Sequence, residues 1–279
     1  MFDINSISNG LERGEDGIWR ALESETVSYP SMGHGSCYSV EENSFWFKHR
    51  NNVITTAVHN YPPPNKGPIF DIGGGNGFVS QGLSQSGFEV VLVEPGEEGA
   101  VNALSRGIQD VVCATTTSAE FQNHSLPAIG LFDVIEHIES DVKFLQSIKL
   151  LMVPRGKLYA TIPAYQFLWS GEDEHAGHYR RYTRASICSA LEKAGFEVLF
   201  STYFFSLLPL GIFLSRTIPY RLGLRRKIKN AEKVKQDHSI SSPFAGKVLD
   251  RLFSFEIDRL KSNTSIPFGG SCLIIAESS

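Results

Sequence analysis

Two clusters in the 279-residue chain carry residue types at spacings that can do chemistry. The first is Asp71-Ile72-Gly73-Gly74-Gly75-Asn76-Gly77, followed 23 residues after Asp71 by Glu94. Glycines in such a turn adopt conformations closed to other residues and let backbone N–H groups approach a ligand. A carboxylate at Glu94 can accept hydrogen bonds from both hydroxyls of an adenosine ribose. The second is the loop Trp169–Tyr182, which holds His175 and His178 three residues apart, Asp173, Glu174, Arg180 and Arg181. Such residues on a connection suit proton transfer and the gripping of an anionic group. Each cluster also has a plainer reading. Glu94 can simply face solvent, and Arg180 or Arg181 can pair with Asp173 or Glu174 within a self-satisfied loop.

The glycine turn discriminates between cofactors. A dinucleotide fingerprint beginning at Gly73 and Gly75 requires a third glycine where Phe78 stands, and that side chain obstructs the helix–strand contact the glycine permits. An acid at Asp71 repels a phosphate and attracts an α-ammonium. The turn therefore favours S-adenosyl-L-methionine.

These residues must be held by an alternation of short strands and helices. Apolar runs predict strands at Ile69–Ile72, Glu89–Val93, Val111–Ala114, Leu126–Phe132, Lys157–Ile162, Phe196–Thr202 and Cys272–Ala276. Helical spacing predicts Glu41–His59, Gly77–Ser86, Glu98–Arg106, Ser140–Met152 and Thr183–Ala194, the last capped by Thr183 and stopped at Gly195. The pattern means a parallel sheet covered on both faces. The expected class is α/β, a Rossmann-like, doubly wound, seven-stranded, mostly parallel sheet. Its organisation reads as an N-terminal helical lid segment (1–64), a cofactor-binding core (65–202), an apolar and basic helical insertion (203–265) and a final core strand (266–279).

With these residues in view, the chain resembles the class I S-adenosylmethionine-dependent methyltransferases. Asp71–Gly77 resembles the first motif of that superfamily, Glu94 its ribose-binding acid, Leu131–Ile138 (LFDVIEHI) the motif after the fourth strand, and Pro154–Ala164 its fifth strand. Phe45–Asn51 (FWFKHRN) and Leu168–Thr183 (LWSGEDEHAGHYRRYT) resemble a bacterial subgroup. The resemblance implies that Asp71, Gly73, Gly75, Gly77, Glu94 and Asp133 bind the cofactor, that S-adenosyl-L-homocysteine is the product, and that the last strand is antiparallel. The third strand departs from the pattern: Cys113–Ser118 (CATTTS) lacks the usual acid, with Glu120 slightly later, which leaves adenine to Thr115 or Thr116.

Methyl transfer from a sulfonium is an in-line displacement, and it needs a base only when the acceptor enters protonated. The candidate catalytic residues are His175, His178, His137 and Tyr182. Trp46, Tyr165, Trp169, Arg180 and Arg181 are candidates for binding the acceptor, with Trp46 and Phe47 on a helix that the resemblance makes a lid. Some family members hold a divalent ion on an acid-x-x-Glu-His cluster. Here that set is Asp133, Glu136 and His137, with His175 or His178 as a further ligand; the expectation is nonetheless a site without a metal. His34, His59, His124 and His238 read as surface or core histidines.

Composition bounds the rest. Lys and Arg number 26 against 30 Asp and Glu, for a net charge of -4, so no basic excess indicates nucleic acid. Residues 216–235 nevertheless carry eight Lys or Arg and one acid, Glu232, directly after the apolar run Tyr203–Leu214. That appendage is either a packed insertion with a basic solvent face or, across 203–235, a device for reversible contact with an anionic membrane surface. The four cysteines are scattered, without metal-site spacing, and read as reduced thiols. The polar, acidic N-terminal stretch and the absence of a spanning run imply a cytoplasmic protein, at most peripheral to the inner face of a membrane. The expected function is methyl transfer to oxygen of a small or lipid-like acceptor. The alternatives are a nicotinamide oxidoreductase and a non-catalytic cofactor-binding scaffold.

Overall fold

The computed structural model describes residues 2–22, 41–42, 44–223 and 243–279. His34, Cys37, His238 and the basic residues between 224 and 235 lie outside them.

Nine strands form one sheet: β1 (Leu11–Arg13), β2 (Trp19–Ala21), β3 (Ile69–Ile72), β4 (Val90–Val93), β5 (Asp110–Cys113), β6 (Leu126–Phe132), β7 (Met152–Pro163), β8 (Phe196–Phe204) and β9 (Ser271–Ser278). Their order is β1-β2-β5-β4-β3-β6-β7-β9-β8. The five strands β3 to β7 run parallel, and β9 enters antiparallel between β7 and β8. Seven strands were expected. The two extra ones are the hairpin β1–β2, whose second strand pairs with the free edge of β5 through Trp19 and Arg20. Three-residue strands in a polar segment carry too little alternation to register as a pattern.

The strands are apolar on both faces because helices cover both. Ile69, Val90, Leu273 and Ile275 point to one side, where they meet Val53, Ile54 and Val58 of α1 (Phe45–Asn60), Leu83 of α2 (Phe78–Gln85) and Leu260 of the long C-terminal helix. Leu92 extends that side onto Ala100 and Ala103 of α3 (Glu97–Ser105). Phe70, Val91, Leu131 and Ile274 point the other way, onto Leu145 and Ile148 of α4 (Asp141–Leu151) and Ile187 and Leu191 of α6 (Arg184–Lys193). Between α4 and α6 in the chain lies the short α5 (Gly171–Ala176). Caps set the helix ends. Ser44 accepts from the N–H groups of Trp46 and Phe47, Thr183 and Ser186 form a capping box, and Gly195 follows α6 at φ +91°.

The insertion holds the helical turns α7 (Leu208–Ile212) and α8 (Ile218–Arg221), joined by the π turn Phe213–Thr217, and then α9 (Pro243–Lys261). Helix α9 packs on α1: Phe253 stacks on His49 at 3.8 Å, His49 Nε2 lies 2.8 Å from Glu256, and the Asn60 amide donates to the Leu260 carbonyl. The α1 segment expected as a lid is thus anchored in the core along most of its length. Among the described residues no helix is long and apolar enough to cross a membrane.

Candidate active site at the carboxyl ends of the parallel strands

The strand order reverses between β3 and β6, which opens a crevice at their carboxyl ends. The glycine turn lies there, with Gly73, Gly75 and Gly77 at φ +72°, +54° and +78°. A Cβ on Gly77 would meet Ala103 at 2.8 Å, whereas one on Gly75 would meet nothing within 4 Å. The turn is packed on its inner side and open in front of Gly75. Glu94 closes the turn from β4, accepting from the Gly75 N–H at 2.9 Å and the Gly96 N–H at 2.7 Å.

Asp71 does not present its charge at the surface. It is 1% exposed and accepts from the Ser80 hydroxyl at 2.6 Å. Burial, and secondarily the Glu94 charge, raise its carboxyl to about 6, against the Ser80 hydrogen bond and the Arg50 charge. It acts on the crevice through the loop it supports. Thr115 bonds Ser118 in a local turn, with Thr116 half-buried beside it.

Asp133 and Tyr165, just past β6 and β7, both sit at positive φ, +60° and +59°. Side-chain-bearing residues are strained there, and such strain gathers at functional sites. Asp133 accepts from the Thr161 hydroxyl and pairs at 2.7 Å with Arg50 of α1. Arg50 is 8% exposed, lies over the Trp46 ring, and has a buried Nε without a hydrogen-bond partner. Sequence reading missed Arg50. The available signal was a charged residue on the buried stripe of α1, in register with Val53, Ile54 and Ala57. A second missed contact reaches the glycine turn: Glu41 pairs with Arg106 at 2.6 Å, and Asn76 of the turn donates to Glu41.

The Trp169–Tyr182 loop separates its candidates. Tyr179 N–H donates to the Glu136 carbonyl at 2.8 Å, which seats the loop against the motif after β6. His178 Nδ1 lies 2.9 Å from Asp173 Oδ1, and its ring meets that of His137 edge-on at 4.7 Å. Asp173 also takes a two-pronged contact from Arg181, at 2.7 and 3.1 Å, and caps α5 with Ser170. Burial alone would raise its carboxyl, but the bonds from His178 and Arg181 bring it down to about 2. An ionised Asp173 can accept from Nδ1–H, and in that tautomer Nε2 of His178 carries the free lone pair. His175 is exposed on α5.

Arg180 pairs with Asp141 at 3.0 Å and donates to the Glu139 carbonyl, while the Tyr182 hydroxyl donates to Asp141 at 2.8 Å. These three fix the loop to α4. Tyr165 stacks on Tyr203 and Phe268, Trp46 stacks on Phe205, and Trp169 is half-buried at the start of α5.

Glu136 is 1% exposed, with Oε2 lacking a partner. Burial first, then the Asp133 charge, drive its carboxyl well above the usual range. Burial and His178 together lower His137 to about 4. Ligand atoms of Glu136, His137 and His178 lie within 4.8 Å of one another, so among the described residues these three are placed to hold a cation. Asp133, counted in that set from the sequence, is outside the cluster and paired with Arg50.

A family model described as a methyltransferase domain matches residues 46–200, more than half the chain and all of the parallel core. The chain belongs to this methyltransferase family. Its class I superfamily, fold and cofactor, S-adenosyl-L-methionine, are those expected, and the nicotinamide alternative falls with them. The mitochondrial ubiquinone biosynthesis O-methyltransferase of mouse is 26% identical over 123 residues, which cover 40% of this chain and 33% of that protein. The rat protein is 26% identical over the same length, 36% of its own. The chain thus spans about a third of the curated relatives it matches.

Solved structures share the fold. A methyltransferase in complex with the Haloferax volcanii Trm112 activator aligns at a TM-score of 0.57 and 13% identity, covering 91% of this chain and 99% of the other. Phosphoethanolamine N-methyltransferase 2 of Haemonchus contortus aligns at 0.55 and 18%, covering 90% and 58%. The methyltransferase's residues fit the cofactor: the turn is open in front of Gly75, the Glu94 carboxylate stands beside it, and Arg50 has an unsatisfied buried donor.

Proposed function

We propose that this methyltransferase transfers a methyl group to a hydroxyl of a small or lipid-like acceptor, with His178 as the base. The observation that carries the reading is the Asp173–His178 pair seated against Glu136 and His137 at the crevice. The O-methyl chemistry named for the mouse and rat relatives supports oxygen as the accepting atom.

Glu94 would hold the ribose hydroxyls, the Gly73–Gly77 backbone the amino-acid tail, and Arg50 the carboxylate of that tail. S-adenosylmethionine, when bound, supplies an electrophilic methyl group on a sulfonium. The protein's own part is alignment, exclusion of water and removal of one proton. Nε2 of His178 would take the acceptor's hydroxyl proton, and Asp173 would stabilise the resulting imidazolium. Trp46, Tyr165 and Trp169 present aromatic faces that suit an apolar or conjugated acceptor body.

The unpartnered Oε2 of Glu136 favours a second arrangement, in which Glu136, His137 and His178 bind a divalent cation that lowers the pKa of the acceptor hydroxyl. One experiment separates these readings. Turnover is measured over an acceptor panel of phenols, hydroxy acids and hydroxylated lipids, before and after exhaustive chelation. Turnover that survives chelation and is lost in His178→Asn supports the base; turnover lost on chelation and restored by added metal supports the cation. S-adenosylmethionine bound but never consumed across the panel would point to the scaffold reading.

A further inference from the structure

The helical stretch from Leu208 to Arg221 is continuous, with helical backbone angles through the π turn at Phe213 and Ile218. Its inner side is fastened to the active-site loop. The Thr217 hydroxyl donates to the Leu168 carbonyl at 3.0 Å, Arg221 donates to the Phe167 carbonyl at 3.1 Å, Arg216 pairs with Glu172, and the Tyr220 hydroxyl bonds Glu174. Its outer side has no such ties. Leu207, Leu210 and Leu214 follow one another at spacings of three and four residues, on one helical face, and are 56%, 66% and 57% exposed. Leu222, at 68%, continues the row. A run of aliphatic side chains this open to water marks a contact surface.

We propose that this leucine face docks the protein on an anionic lipid bilayer. Charge selects the occupant. By sequence, Arg225, Arg226, Lys227, Lys229, Lys233 and Lys235 follow Gly223, against the single acid Glu232. In the sequence this basic stretch begins two residues after Gly223, directly beyond the leucine row. Cations beside exposed leucines are the combination that holds a helix in a headgroup layer, the apolar side chains entering shallowly and the basic ones meeting lipid phosphates. A second copy of the chain would instead bring like charge against like charge. The rod's ties to Leu168, Glu172 and Glu174 then place Asp173 and His178 beside the bilayer. An amphiphile with its hydroxyl in the headgroup region is the matching acceptor. That last step rests on the methyl-transfer reading above; the docking face does not.

The test is flotation of the full chain with vesicles of phosphatidylcholine alone or mixed with phosphatidylglycerol, at low and high salt, alongside calorimetric titration with S-adenosylmethionine. Expected are binding to the anionic vesicles, its weakening in high salt, and a fall of about tenfold or more in Leu207→Ser/Leu210→Ser/Leu214→Ser. The three positions are solvent-exposed, so the triple variant should keep its melting temperature and cofactor affinity. Absence of flotation at low salt, undiminished flotation of the triple variant, or a leucine-dependent dimer that ignores vesicles would each overturn the proposal. Flotation without cofactor binding would sink the methyl-transfer reading and leave the docking face standing.

Discussion

Asp173 and His178 are joined twice. The Asp173 carboxylate lies 2.9 Å from Nδ1 of His178, and the His178 backbone N–H donates to the Asp173 carbonyl at 2.9 Å. The double contact fixes the ring plane as well as the tautomer, which a single side-chain bond would leave free to swing. Substituting His178 with Asn should lower kcat by about 10²- to 10⁴-fold while leaving S-adenosylmethionine affinity within a factor of a few. Asp173→Asn should lower kcat too, because the neutral amide no longer stabilises an imidazolium formed during proton transfer. Steady-state kinetics with cofactor titration check both.

Glu94 bonds both the glycine turn and the backbone ahead of α3. In Glu94→Ala two N–H groups lose their acceptor and the ribose loses its own. Cofactor affinity should fall at least about tenfold, with melting lowered by a loss of roughly 1–3 kcal/mol. Calorimetry and thermal unfolding measure the two effects separately.

Arg50 is a cation among three acids, the buried Asp71 and Glu136 and the half-buried Asp133; it pairs with Asp133 and its charge opposes the upward shift of the other two. Arg50→Met should destabilise the protein by about 3–5 kcal/mol, the usual result of removing one partner of a buried ion pair. Arg50→Lys should restore part of the stability. It should restore little of the cofactor affinity, because an ammonium lacks the planar fork that suits a carboxylate. Urea unfolding, read at matched m-values, is the measurement.

Asp71 gives the free enzyme a specific pH signature. Its folded value of about 6 lies above the ordinary 3.8, so the folded state holds the proton more tightly than the unfolded chain does. The stability this provides is complete below about pH 4 and is lost as pH rises through 6. A shift of roughly two units corresponds to about 3 kcal/mol. Asp71→Asn should therefore be least harmful to the unliganded protein at pH 8 and most harmful at pH 4. A variant-to-wild-type stability difference that is flat across that range would refute the assignment.

How much of this was legible in sequence differs from place to place. The parallel core was open to reading because its strands are apolar on both faces and helix α6 begins and ends on recognisable signals, Thr183 and Gly195. Strand β6 falls at Leu126–Phe132, as its apolar run predicts. The hairpin β1–β2 was not legible. Its short strands become strands only because Trp19 and Arg20 find the open edge of β5.

The sequence by itself determined the fold class and the cofactor, since both follow from local signals: periodicity, a glycine turn and an acid one strand later. It narrowed the chemistry to a loop and went no further. Which of two histidines pairs with Asp173, which arginines are committed to Asp141 and Asp173, and that Arg50 enters an acid cluster from a helix far away in the chain were decided by tertiary structure. The physical reason is the same each time. A side chain's role depends on what neutralises and desolvates it, and those partners come together only when the sheet and its covering helices close around them.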